Sequence, residues 1–525
     1  MRNKLYQLVF LFLFLGFLSA IMGYDRDNFP VLSKTEIPQE MDLTYAMAEP
    51  LKTLDPAEAN NMSEARVLSN IFEGLVRYRS GSSEIEPCLA TAWEISKDGC
   101  NWIFHLRKNI SFHDGTPFNA EAVKINIERQ LPPQKKDTMS YGSFTFGIVK
   151  AVDVIDEYTI QFTLKTPYSP FLRNLAMPWS APIVSPQSLR ATTKGNQANY
   201  AGTGPFFLAD WRDGAPVLLA YEKYWGQKPL IKSIAFLPQS PQQRATALDK
   251  GIVQLVDLSD LPPADIKSER MVITTQTAPS ISYLGMYNNR PPFNNDKVRR
   301  ALCMSIDTKD LSMQMFGHQA LAANSILPPF IAGHHENLKP YYGGSEKAKE
   351  LLKQYGYPNG LDITLITYNT PRPYNLLGGT ELANIIKKQL APAGIRVIVK
   401  VYPWHEFKSA LHKQQGDAFL FGWVSDNLDP DNFLYTLLSA NETAKTNLTY
   451  YKNSEVDRLI SAAQKEQDEK TRIRLYYHAQ QIMLQDTPMV FLNYGQERIA
   501  IAKNVKDVEV TSFGIPLFAK AYIQK

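Results

Sequence analysis

Between Leu361 and Trp423 the apolar and polar positions recur with the regularity of packed elements. Asp362 to Thr367 alternates as a strand; Leu382, Ile385, Ile386 and Leu390 make one helical face ending at Gly394; Arg396 to Val401 is a β-branched strand. Trp404 to Lys413 is again helical, and Ala418 to Trp423 predicts a third strand. This β-α-β-α-β order predicts an open sheet covered by helices. Ligands of such sheets sit in the crevice beyond the strand ends, which directs attention to the loop from Val424 to Asn432.

Upstream the pattern is less regular. Leu43 to Met47 predicts a short strand, and Asn61 or Ser63 can cap a helix whose apolar face is Val67, Leu68, Ile71, Phe72 and Leu75. From Arg77 to about Ala201 short β-like runs (Trp93 to Ser96, Trp102 to Leu106, Ala151 to Val154, Thr159 to Leu164) are separated by Gly, Asp and Pro. We read this segment as a smaller mixed domain inserted into the first, with a hairpin across Ile155 to Tyr158. Gly202-Thr203-Gly204-Pro205 reads as a turn, because Pro205 removes a donor that a phosphate cradle would need.

The N-terminus is different again. Arg2 and Lys4 precede the apolar run Leu8 to Leu18, continued by Ala20 to Met22, with no acid in the segment. That is the pattern of an export signal. Leu18 would fill a position where a small residue is wanted if the cut followed Ala20, so cleavage and retention as an anchor both stay open. The run is shorter than the ~20 residues that span a bilayer comfortably, and everything after about Asp25 is expected to be soluble. Tyr24 to Glu40, polar and carrying Pro30 and Pro38, reads as a tether.

A chain of 525 residues is too long for one core. With 44% hydrophobic and 21% charged residues it is not a disordered chain. Its 56 basic and 52 acidic residues nearly balance, which argues against nucleic acid as a partner. Of three cysteines, Cys88 and Cys100 flank a hairpin and stay open as a disulfide or as two thiols; Cys303 reads as a buried small hydrophobe. His405 and Glu406 begin like a zinc-protease helix, but Ser409 stands where the second His would be. His334 and His335 read as solvated imidazoles in a loop. Neither a nucleophile elbow nor a phosphate-binding or dinucleotide-binding glycine motif is present, so the chain is not expected to be an enzyme.

A series of short segments carries more information in its order than in any one member: Leu54-Asp55-Pro56; Ile71-Phe72-Glu73-Gly74-Leu75; Trp93 through Phe112-His113-Asp114-Gly115; Gly202-Thr203-Gly204-Pro205-Phe206; Asn288-Asn289-Arg290 with Pro292-Phe293; Val298-Arg299-Arg300-Ala301-Leu302; and Gly422-Trp423-Val424-Ser425-Asp426 through Phe433. From about residue 43 to 515 the chain thereby resembles family 5 of the extracellular solute-binding proteins, which serve peptide and nickel ABC transporters, and within it the dipeptide-binding members.

The resemblance implies an α/β, two-lobed periplasmic-binding-protein-like fold, type II, of the large three-domain variety. Its expected parts are a signal or anchor at 1–23, a tether at 24–40, a split domain I of 41–76, 202–287 and 495–525, an inserted domain II of 77–201, and a second lobe, domain III, of 288–494. It implies that Asp426 holds a peptide ammonium and Arg372 the peptide carboxylate, with Tyr374, Trp423 and Ser425 beside the ligand. Without the resemblance, Asp426 with Asp429 and Asp431 would read as a solvated acidic turn, and Arg372 between Pro371 and Pro373 as an exposed loop. Asp55, Gly74, Asp114 and Gly115 are expected to shape turns and packing.

The implied partners are a short peptide and the permease subunits of an inner-membrane importer, with the chain monomeric and without a cofactor. No cysteine precedes Cys88, so a lipoprotein is not expected; the chain is periplasmic, free or held by its signal. The rival readings are the same fold binding glutathione, haem, a nickel chelate or longer peptides; an exported peptide hydrolase; and a signalling or adhesion protein that has lost transport.

Overall fold

The computed structural model describes residues 40–193, 200–212, 215–261, 268–317, 320–339, 341, 343–441 and 446–524. The expected signal and all of the tether but Glu40 lie outside the described residues, among which no helix is long and apolar enough to cross a membrane.

Strand β1 (Leu43–Met47) is followed by helix α1 (Met62–Leu68), capped by Asn61, whose side chain accepts from the Glu64 N–H at 2.9 Å. The helix is shorter than its apolar positions suggested. After Leu68 the chain turns aside: the carbonyls of Asn70 and Ile71 accept from Phe206 and Gly204 N–H instead of continuing the helix. Ile71, Phe72 and Leu75 are buried nonetheless. The approach demands glycine, because a Cβ on Gly202 would collide with the Ile71 carbonyl. Gly202→Ala is expected to cost about 1 to 3 kcal/mol of stability, read as a lower urea midpoint at unchanged m-value.

Strands β2 (Ala90–Ile95), β3 (Asn101–Leu106), β4 (Val149–Asp156) and β5 (Thr159–Leu164) form an antiparallel sheet in the order β2-β3-β5-β4. Alternation along β3 buries Trp102, Phe104 and Leu106, and Trp102 meets the Phe171 ring edge-on at 5.6 Å. Cys88 lies before β2 and Cys100 in the turn after it, so a whole strand of roughly 20 Å separates them. Both are free thiols.

The largest sheet among the described residues has ten strands. Its further members are β6 (Phe206–Arg212), β7 (Ala215–Ala220), β8 (Ser233–Pro238), β9 (Leu255–Asp257), β10 (Met271–Met286), β11 (Leu361–Tyr368), β12 (Ile395–Tyr402), β13 (Ala418–Val424) and β14 (Met489–Ala502). The order is β12-β11-β13-β10-β14-β9-β1-β8-β7-β6. The two long strands β10 and β14 join its halves, and their antiparallel register breaks between Thr277↔Gln496 and Ile281↔Tyr494. Pro279, which has no N–H to donate, lies in the break with Gly495 opposite. Two lobes thus share one interrupted ladder. The division expected at 287/288 falls beyond this break, at the end of β10.

The β-α-β-α-β stretch forms as the pattern predicted. Parallel β11 is flanked by β12 and β13. Helix α2 (Gly379–Leu390) buries Leu382, Ala383, Ile386 and Leu390, and Gly394 closes the following turn. Helix α3 (Trp404–His412) buries Phe407, Ala410 and Leu411. Cys303 is buried, as expected.

Candidate functional site

Two of the expected site residues extend from the C-terminal ends of adjacent parallel strands. Arg372 follows β11 and Asp426 follows β13. Each is fixed by its own turn. Arg372 and Asn375 exchange backbone hydrogen bonds of 2.9 and 2.8 Å, which folds Pro373 and Tyr374 into a tight corner. Ser425 N–H donates to the Pro279 carbonyl at 2.7 Å, and Ser425 Oγ accepts from Leu428 N–H at 3.0 Å. The site loop is therefore tied to the register break between the lobes, and Ser425, fully buried, holds the turn that presents Asp426.

The loop is not the solvated acidic turn its residues suggest. Asp429 is 0% exposed and Asp431 4%. Asp429 caps helix α4 (Pro430–Leu438) by accepting from Asp431 N–H at 2.8 Å. It also receives both ends of the Arg472 guanidinium, at 2.9 and 2.6 Å, and lies 3.4 Å from Arg173 of the inserted segment. Burial alone would raise its pKa, but the two cations hold it below the usual carboxylate value. For Asp431, burial and then the neighbouring Asp429 charge outweigh the Gln464 and Tyr476 hydrogen bonds and the Arg472 cation, and lift it to about 7.

Asp426 differs from both. Among the described residues no cation pairs with it. Its Oδ1 accepts from the Tyr141 hydroxyl at 2.9 Å, and its N–H donates to Asn432 Oδ1 at 3.3 Å. Burial raises its pKa to about 6, with the Tyr141 and Asn432 hydrogen bonds pulling the other way. Trp423 Nε1 also donates to Asn432 Oδ1, at 2.9 Å, which turns the indole toward the same loop.

Arg372 is the opposite case. Its guanidinium carbon lies 3.4 Å from the centre of the Trp404 ring, and Trp404 in turn stacks on Phe421 of β13 with planes 11° apart. The cation's face is covered, but no carboxylate or other acceptor among the described residues takes its edge, and Nε is buried without a partner. Burial lowers its pKa. Tyr374 is buried against Gly422, where a Cβ would overlap its ring. It serves as the floor beneath the Arg372 corner.

Two residues here were not marked as site residues by the sequence: Trp404 and Tyr141 reach the site from the first turn of α3 and from the inserted segment, while Asn432 ends the loop that the strand pattern pointed to. Asp55 and Asp114 do structural work, Asp55 taking Arg129 at 2.6 and 2.7 Å, Asp114 accepting from Ser185 Oγ at 2.5 Å. A cavity of about 250 Å³ is lined by Phe72, Glu73, Tyr78, Trp225 and Phe513 among others, and by none of Arg372, Tyr374, Trp423, Ser425 or Asp426. Its buried carboxylate, Glu73, is already met by Thr203, Tyr224 and Trp225. His405 lies exposed beside Glu406, and His334 Nδ1 contacts the Leu327 carbonyl.

The profile of the bacterial extracellular solute-binding proteins, family 5 (middle), matches residues 84–445. The chain belongs to this family. It is 30% identical over 478 residues to heme-binding protein A of Haemophilus influenzae, covering 85% of this chain and 86% of that one. It is 28% identical over 480 residues to the dipeptide-binding protein of Escherichia coli, covering 86% and 89%. Among solved structures, the periplasmic binding protein DppA of Helicobacter pylori in complex with the peptide STSA superposes with a TM-score of 0.72 at 32% identity, covering 92% of this chain and 98% of that one. As a family 5 solute-binding protein the chain shares their two-lobed α/β fold, and its relatives are binding proteins, not enzymes.

Proposed function

We propose that this family 5 protein captures a short peptide between its lobes, with the α-ammonium on Asp426 and the α-carboxylate on Arg372, and delivers it to the permease subunits of an ABC importer. One observation carries the reading. Among the described residues, a carboxylate with no cation and a guanidinium with no anion stand at the ends of two neighbouring parallel strands. Both are half-buried; once closure excludes water, a charge left unpaired is costly, and a zwitterion satisfies both at once. The planar edge of Arg372 suits two parallel bonds to a carboxylate, while Trp404 covers its face. Trp423 and Tyr374 wall the space, and residues 1–23 direct export, whether cleaved or kept as an anchor.

Relatives named for dipeptides and for haem support a peptide ligand and leave haem as the competing one. Titrating the protein with di-, tri- and tetrapeptides, glutathione and haem, following tryptophan fluorescence, tests the reading. Saturable binding of short free peptides supports it, and binding of haem with indifference to every peptide overturns it.

The site also predicts a pH dependence. An ammonium ligand needs Asp426 ionised, and the free protein holds that carboxyl at about 6. Peptide affinity is therefore expected to be flat from pH 8 to 7 and to fall by up to about tenfold per unit below about 6. Asp426→Asn should flatten the profile. Calorimetry across the range reads both.

A further inference from the structure

The cavity that Phe72, Trp225 and Phe513 line takes its walls from four stretches far apart in sequence, 69–78, 176–182, 224–227 and 509–520. Pro178, Pro182 and Pro205 stand among the lining residues, and their fixed φ angles hold the backbone there without help from a ligand. Phe72, Val76, Met177, Phe513 and Ile515 are each at most 3% exposed and make the lining largely apolar. A cavity of roughly 150 Å³ with apolar walls suffices for benzene, so about 250 Å³ admits one substituted ring.

The charged groups around it are already matched. At the rim Arg77 Nε donates to Glu86 at 2.7 Å, and Lys520 Nζ to Glu509 at 2.7 Å. In the wall Glu73 accepts from Thr203, Tyr224 and Trp225, yet burial outweighs those bonds and pushes its pKa up, toward the neutral form. The Cys88 thiol in the same lining is pushed up by burial first, then by the Glu73 charge, and stays protonated. A charged ligand would find no open counter-charge among the described residues and would lose its hydration. Thr511 offers one polar contact. Its Oγ1 accepts from Phe513 and Ile515 N–H at 3.3 and 3.2 Å, which leaves the hydroxyl proton for an oxygen of a ligand.

The cavity is also joined to the contact between the lobes. Phe513 meets the Tyr78 ring edge-on at 5.8 Å and the Trp179 ring at 5.6 Å. Tyr78, itself a lining residue, carries its hydroxyl to the Asn427 carbonyl in the loop after β13. We propose that this cavity is an effector site for a small uncharged ring compound, separate from the strand-end site, and that filling it favours the closed arrangement of the lobes. A ring seated against Phe513 and Tyr78 holds Tyr78 where it reaches Asn427. The compound then binds the closed arrangement more tightly than the open one and shifts the population toward it. Neither step depends on what the strand-end site holds.

The probe is 4-fluorophenol, titrated into the full chain by fluorine NMR, with 4-fluorobenzylamine and 4-fluorobenzoate as cationic and anionic counterparts. Saturable binding of the phenol is expected, with each charged probe at least about tenfold weaker. Ala519→Phe and Leu517→Trp each add ring volume at a half-buried lining position. Each should weaken the phenol by at least about tenfold, with a urea titration to confirm that the variant is folded. Hydrogen exchange across 424–432 in the wild type should slow by about two- to tenfold with the phenol at about ten times its Kd, and should not respond in the variants. No saturable binding, a charged probe that binds as well as the phenol, or full binding by either variant would overturn the site. Binding without slower exchange at 424–432 would overturn the effector role.

Discussion

Arg472→Met should destabilise the protein by about 3 to 5 kcal/mol, the cost of removing one partner from a buried ion pair. Asp429 is 0% exposed, takes both ends of Arg472, and would keep only Arg173 at 3.4 Å and its helix-cap contact. The charge is then left with one longer contact to a cation in a dry setting, which costs far more than losing an exposed pair of the same geometry. The effect has a sign in pH. The folded pKa of Asp429 lies below its unfolded value, so its contribution is present above the unfolded value, near 4, and is lost as pH falls through the folded one. Urea titrations should show the gap between wild type and Arg472→Met narrowing as the buffer is taken below about pH 4. A gap under about 1 kcal/mol at pH 7 would mean that the loop is solvated after all.

Asp426→Asn and Arg372→Met should each weaken binding of a free dipeptide by roughly 2 to 5 kcal/mol, with little change in stability. The loss is mostly that of the ligand charge left without a partner once the lobes exclude water. Neither residue has a counter-ion among the described residues, so neither substitution breaks an ion pair seen in the fold. Replacing Asp426 should erase discrimination at the ligand's N-terminus only, and replacing Arg372 at its C-terminus only. Calorimetric titration with end-blocked peptides separates them. Equal sensitivity of both variants to both ends would contradict the assignment.

The contrast between Asp426 and Asp429 shows where sequence reasoning stops. The β-α-β-α-β stretch was legible because one-sided burial imprints periods of 2.0 and 3.6 residues, and the rule that ligands gather at strand ends then located the loop. Which of three nearby carboxylates lacks a cation was not legible, because the partners are remote: Asp429 pairs with Arg472 from a later helix, and Asp426 meets Tyr141 from a part of the inserted segment that no motif marks. Helix α1 was overextended for a related reason. Ile71 and Phe72 sit at helical spacing but are buried by the chain at 202–206, a contact set by backbone approach at Gly202 and Gly204. Likewise the spacing of Cys88 and Cys100 left their pairing open, and only the strand between them decides it.

The central claim is that the site reads the two end charges of a short peptide. The measurement that tests it most directly is calorimetric titration of the wild-type protein, at pH 7.5 or so, with one dipeptide in four forms: free, N-acetylated, C-amidated and doubly blocked. The account predicts tight binding of the free form, a loss of at least about tenfold for either single block, and no detectable binding when both are present. Equal binding of all four forms, or of none beside tight binding of haem, would contradict it.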